Sequence, residues 1–201
     1  MRILAIILGT ILLAIVGGIS YVVFDAKLGF KDKRLDSDFH LINQDGAEFT
    51  SNSLRGSPSI VFFGFTNCSK VCPTTLSTLD RWLKQVDPTN TLLRAYFITV
   101  DPKRDTPDVM KKFVKKFSDR IIGVSGDPTS VMSIAKKFHI YVNNAVADNS
   151  DVKKQSPVSH TASLLLFNSH GSIVGVIPYK EDSNTAIQKI NRLIAEDKSV
   201  K

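Results

Sequence analysis

The chain has 201 residues, 43% of them hydrophobic and 22% charged, a globular composition that excludes a disordered or fibrous protein and allows one ordinary domain with appendages. The formal charge of +7 comes without a basic stripe interleaved with aromatics. It reads as a solubilising charge, not as a nucleic-acid surface.

Ile3 to Phe24 runs without a charge and is long enough to cross a bilayer core of about 30 Å as a helix. Gly18 and Ser20 would suit a signal-peptide cut, but the apolar run continues through Tyr21, Val22, Val23 and Phe24, past the ~7–15 residues usual in a cleaved signal. Residues 1–24 are therefore expected to be a transmembrane anchor. A positive-inside count, with Arg2 before the span and Lys27, Lys31, Lys33 and Arg34 after it, favours a cytoplasmic domain. Long domains are exported largely regardless of charge, however, and a single close cysteine pair suits a compartment with redox partners. The expected location is the bacterial inner membrane, single-pass, with the domain in the periplasm. Residues 25–38 are charged and aperiodic, a linker, and residues 39–201 form the domain.

FHLINQDGAEFT alternates polar and apolar residues around Gln44, Asp45 and Gly46 and predicts a hairpin. SIVFFGF is a continuous apolar run, the mark of a strand buried on both faces. The segment FTNCSKVCPTTL follows with the only two cysteines, Cys68 and Cys72, and then a helical stripe of Leu76, Leu79, Leu83 and Val86. The pair is open to three readings: redox chemistry, a soft-metal site, or a structural disulfide or buried thiols.

LLRAYFITV predicts the next strand, Leu92 to Val100. After the loop DPKRDTP comes a helix over Asp108 to Phe117, with Thr106 as N-cap, Pro107 at the first position, and Met110, Phe113, Val114 and Phe117 facing the core. IIGVSG is a further strand, and a helix runs from about Pro128 to Phe138. A polar loop, Tyr141 to Ser159, leads to the strands SLLLF and SIVGVI, which flank NSHG as a hairpin, and a helix over about Asp182 to Glu196 closes the chain. This order is α/β, with helices on both faces of the sheet.

From about Phe39 to Glu196 the order resembles the thioredoxin superfamily, in which a buried strand delivers a cysteine motif to the start of a helix and a late hairpin packs beside it. The resemblance implies a central mixed β-sheet flanked by helices, here with an added N-terminal β-hairpin and the single transmembrane helix. Pro73 suits the first helical position, which puts Cys72 at or near the N-cap, where the helix dipole and free amides favour a thiolate, with Cys68 one turn earlier. Of the four histidines, His170 falls at a hairpin tip, His139 ends a helix, and His40 enters the first hairpin. His160, two residues before Ala162, enters the late strand at the place where thioredoxins bring a proline against the cysteines. It is the histidine able to reach the sulfurs.

Together with VDPKRDTP, Val100 to Pro107, this constellation closely resembles the Sco/SenC family, membrane-anchored proteins that help assemble the copper centre of cytochrome c oxidase. The shared features are the anchor, CxxxCP after a buried strand, DPxxDTP after the next, and a late histidine followed by a hairpin. The resemblance implies that Cys68, Cys72 and His160 bind copper as Cu(I) or Cu(II). It implies as partners the copper-bearing oxidase subunit, a protein that donates the copper, and the membrane. Thiolates suit Cu(I), and an added imidazole admits Cu(II). Where the family commonly has proline and acidic residues around its ligands, this chain has Ser69, Lys70 and Ser159. Asp101 and Asp105 match the family loop and are expected at the cysteine edge of the sheet, as supporting residues or as loop stiffeners.

Two other functions are weighed beside the metallochaperone. One is an extracytoplasmic thiol:disulfide oxidoreductase using Cys68 and Cys72. The other is a peroxidase, since VCPTTL is similar to the active-site segment of peroxiredoxins with Cys72 as the peroxidatic thiol, although the proline of that family is here Phe65.

Overall fold

The computed structural model describes residues 39–140 and 162–200, the side chains of residues 199 and 200 excepted. The expected anchor at Ile3 to Phe24, the linker, the polar loop and His160 lie outside the described residues. Among the described residues no helix is long and apolar enough to cross a membrane.

Strands β1 (Leu41–Asn43) and β2 (Glu48–Phe49) pair antiparallel, as the alternation predicts. Gly46 turns the chain at φ 82°, a region that L side chains rarely enter, and Asn43 Oδ1 accepts the amides of Asp45 and Ala47 at 2.9 Å each. Strand β3 (Ser59–Gly64) is buried throughout. It lies between parallel β4 (Arg94–Thr99) and antiparallel β6 (Leu164–Phe167). With β5 (Ile121–Ser125) and β7 (Ile173–Ile177) the described sheet runs β2-β1-β5-β4-β3-β6-β7, a mixed sheet.

The pleat of β3 sorts its side chains between two layers. Ile60 and Phe62 join helices α1 (Val71–Val86), α2 (Pro107–Val114) and α4 (Ser183–Val200) on one face; Val61 and Phe63 join α3 (Pro128–Lys137) and the N-terminal hairpin on the other. Phe62 and Phe63 are fully buried, each worth about 2–3 kcal/mol relative to exposure. Helices thus cover both faces, as the sequence predicts.

Boundaries of α1, α2 and α4 differ from the sequence reading, α4 running on to Val200, whereas α3 keeps the expected bounds. Helix α1 begins at Val71 with Lys70 as N-cap, two residues before Pro73. Proline is tolerated there because the first amides of a helix have no intrahelical acceptor anyway. Helix α2 begins as expected at Thr106 and Pro107 but stops at Val114, and Lys115 to Phe117 continue as a turn. Helix α3 ends where His139 takes a left-handed φ of 55°.

Beyond α1, Asp87 is almost wholly buried and accepts the amides of Thr91, Leu92 and Leu93 at 3.0, 2.8 and 3.2 Å. Burial opposes its charge, but the three amides prevail and hold its carboxyl below the usual carboxylate value. Arg120 donates to the carbonyls of Leu83, Asp87 and Pro88, satisfying the C-terminal end of α1. At the far edge of the sheet Lys189 donates to the Val176 carbonyl of β7 at 3.1 Å and pairs with Glu181 at 2.7 Å.

Candidate metal centre

Strand β3 ends at Gly64, and the cysteine loop begins there for a steric reason. A Cβ on Gly64 would lie 2.7 Å from the sulfur of Cys72 and 2.7 Å from the ring of Phe97, so only glycine lets the buried sulfur lie against the strand. The chain then turns through a hydrogen bond from the Cys68 amide to the Phe65 carbonyl at 3.2 Å. Cys68 packs half-buried between both core layers, and Cys72 is fully buried.

The two cysteines meet. The Cys72 amide donates to the Cys68 sulfur at 3.3 Å, so one of the orphan amides of α1 is capped by the other cysteine. Neither residue is in a disulfide. Cys72 sits in the first turn of α1, one position inside its start and so near the N-cap, as expected, although Pro73 is at the third helical position and not the first. Nor is its thiol acidic: burial pushes it well above its ordinary value, which overrides the amide of Phe65 pulling the other way, and the Cys68 sulfur and the Asp105 carboxylate add to the rise. Desolvation, the largest cause, thus opposes the thiolate expected at the helix start.

Asp101 and Asp105 follow β4 at the cysteine edge of the sheet, as expected. Asp105 is fully buried, and its carboxylate accepts the Thr66 amide at 2.9 Å, the Thr66 hydroxyl at 2.5 Å and the Thr99 hydroxyl at 2.6 Å. Its carbonyl accepts from Ser125 at 2.5 Å, which ties the loop to β5. Asp101 instead forms an ion pair with Arg104 within its own loop. Sequence reasoning missed Thr66, Thr99 and Gly64; a glycine closing an otherwise apolar strand was the one available signal.

Among the described residues no three His, Cys, Asp or Glu side chains converge on a metal position. His40 faces Glu48 at 2.6 Å on the exposed hairpin, and His170 is exposed at the β6–β7 turn. The described chain resumes at Ala162, just before Leu164 of β6, which pairs with Phe62 of β3. Two sulfurs one helical turn apart, one accessible and one enclosed, can chelate a soft ion or close into a disulfide.

The family model described as SCO1/SenC matches residues 29–195. The chain belongs to the SCO1/SenC family. It is 31% identical over 173 residues to the protein named Protein SCO2, mitochondrial, of Saccharomyces cerevisiae, covering 85% of this chain and 56% of that relative. The chain thus spans just over half the length of that relative. Among solved structures, yeast Sco1 with copper bound superposes with a TM-score of 0.70 at 32% identity, over 78% of this chain and 86% of that one. BsSco, described as a member of the Sco family of cytochrome c oxidase assembly proteins with a disulfide switch, superposes at TM-score 0.61 and 23% identity, over 79% of this chain and 92% of that one, a likeness of fold. The thioredoxin-like, mixed-sheet architecture expected of SCO1/SenC proteins is the one described above.

Proposed function

We propose that the chain is a copper metallochaperone that carries the ion on Cys68, Cys72 and His160 and delivers it to the copper centre of cytochrome c oxidase during assembly. The observation that carries this reading is the 3.3 Å approach of the Cys72 amide to the Cys68 sulfur, which brings two cysteines outside any disulfide together at the edge of a SCO1/SenC fold. Cu(I) displaces the thiol protons and takes two soft sulfur ligands, and the imidazole widens the site to Cu(II). Cys68, the more accessible sulfur, is the first ligand that a thiolate of the acceptor replaces on the copper. The same pair can form a disulfide, which a reducing partner opens before loading. This is where the oxidoreductase reading survives. The peroxidase reading fits poorly, since Cys72 is enclosed and its proton tightly held.

The remaining parts of the proposal are topological. Residues 1–24 anchor the chain in the bacterial inner membrane, residues 25–38 space the domain from it, and the domain faces the periplasm, where a copper donor protein and the oxidase subunit meet it.

The test is copper binding by the reduced full-length chain. One copper per chain is expected, with a sulfur-to-copper charge-transfer band in the Cu(II) form. Cys68→Ser or Cys72→Ser should abolish both states of binding. His160→Ala should lose the Cu(II) band and retain some Cu(I), and a variant indistinguishable from the parent would remove His160 from the site.

A further inference from the structure

Along α1, from Thr74 onward, lies a groove of about 630 Å³, open solvent at its mouth included, between that helix and the loop that joins β7 to α4. We propose that it docks an extended polypeptide segment of the acceptor protein, one that carries an apolar side chain next to a carboxylate. This rests on the reading that the copper is handed to a protein.

Position comes first. One wall is the face of α1 from Thr74 to Trp82, which begins two residues after Cys72. At 1.5 Å per residue, Thr74 to Arg81 spans about 10 Å, the length of three extended residues. A chain lying in the groove along α1 therefore runs toward the helix start that carries Cys72.

Chemistry selects the segment. Trp82, Leu164 and Ile177 give an apolar floor. The Thr75 hydroxyl donates to the Val71 carbonyl and the Thr74 hydroxyl to that of Lys70, both at 2.8 Å, so neither has a proton left to offer a ligand. The charged donors in the lining are Arg81 and Lys180. Arg81 is exposed and donates to the Thr78 hydroxyl at 3.3 Å, and Lys180 lies 5.5 Å from the centre of the Tyr179 ring. Among the described residues neither has a carboxylate partner, because Glu181, the acid of the groove, is neutralised by Lys189 at 2.7 Å. Lys180 is held at φ 63°, a costly conformation for a non-glycine residue, which fixes the loop that presents its charge. An apolar slot with two uncompensated cations at its rim fits an apolar side chain flanked by Asp or Glu.

The experiment places the photo-crosslinker p-benzoylphenylalanine at exposed Ser183 on the groove, and at exposed Thr129 on the opposite face as control, in the full-length chain. The probe is the metal-free copper-bearing domain of the same organism's oxidase subunit. Crosslinking is expected from Ser183 and not from Thr129, and Arg81→Glu with Lys180→Glu should reduce it at least tenfold. The same double variant should raise the acceptor concentration that half-saturates copper transfer at least tenfold and leave Cu(I) affinity unchanged. Equal crosslinking from both positions, or no effect of charge reversal, overturns the groove while transfer by the parent chain keeps the delivery reading intact. Charge-dependent crosslinking from Ser183 without any transfer by the parent upholds the groove and overturns delivery.

Discussion

Asp105 grips Thr66 through both its amide and its hydroxyl, across thirty-nine residues of sequence, and so fixes the strand end from which the cysteine loop departs. Removing the carboxylate with Asp105→Ala leaves two hydroxyls and an amide in a buried place without an acceptor. The expected cost is about 3 kcal/mol of stability, read by urea unfolding, together with at least a tenfold loss of Cu(I) affinity in competition with a chelator. Unchanged affinity in a variant that still folds would show that the loop keeps its geometry without this residue.

Gly64→Ala tests the steric basis of the site. The added methyl meets the Cys72 sulfur and the Phe97 ring at 2.7 Å, an overpacking that should cost about 1–3 kcal/mol. Since the sulfur is one of the two groups that must give way, copper binding should weaken as well. Loss of stability with undisturbed copper binding would mean that Phe97 alone moves.

The two thiols should react at very different rates. In the reduced, metal-free chain at pH 8, iodoacetamide is expected to modify Cys68 at least tenfold faster than Cys72, because Cys72 is enclosed and its thiolate is scarce. Peptide mass spectrometry over a time course reads the ratio, and comparable rates would contradict the arrangement. Since Cys72 holds its proton more tightly folded than unfolded, the metal-free chain should also lose stability as pH rises above about 8.5–9. Cys72→Ser should flatten that fall.

Asp87 gives the opposite pH dependence. A carboxyl held below its unfolded value stabilises the fold above pH ~4, and that contribution disappears as pH falls through the lower folded value. Asp87→Asn should therefore cost about 1–3 kcal/mol at pH 7, and the gap to the parent should narrow steadily below pH 4. A gap independent of pH would assign the cost to packing instead of charge.

Much of this arrangement was legible because it is local. The apolar run of β3, the stripe of α1 and the Asp-Gly and His-Gly turns each follow from period or turn chemistry within a few residues. What was not legible is what distant segments do to one another. The sequence CSKVCP announces a helix start but not that β3 and Phe97 enclose Cys72, so the dipole argument predicted a thiolate where burial keeps a thiol. DPKRDTP shows two aspartates; only the fold separates Asp105, which holds Thr66, from Asp101, which holds Arg104. Nothing near Asp87 in sequence reveals that Arg120 closes the same helix end.

The proposed anchor is tested by topology and by processing. Alkaline phosphatase fused after Lys201 should be active, and the mature membrane protein should retain residues 1–24 at its N-terminus. Deleting those residues should leave copper affinity unchanged while oxidase assembly weakens, most of all at low copper. A soluble mature protein that starts near Tyr21 would show a removed signal and end the tether idea.

Lys189 bears on how the molecule behaves in a crowded solution. A terminal strand offers its outward carbonyls to any strand of another molecule, and Val174 and Val176 of β7 are exposed there as well, 46% and 41%. By donating to Val176 while paired with Glu181, the ammonium blocks that row, so an incoming strand must break an ion pair and bury a charge before it can add. Among the described residues, one barrier to fibril-like stacking at this edge is therefore a side chain of α4, and neutralising it with Lys189→Met should be detected as concentration-dependent aggregation before any loss of copper.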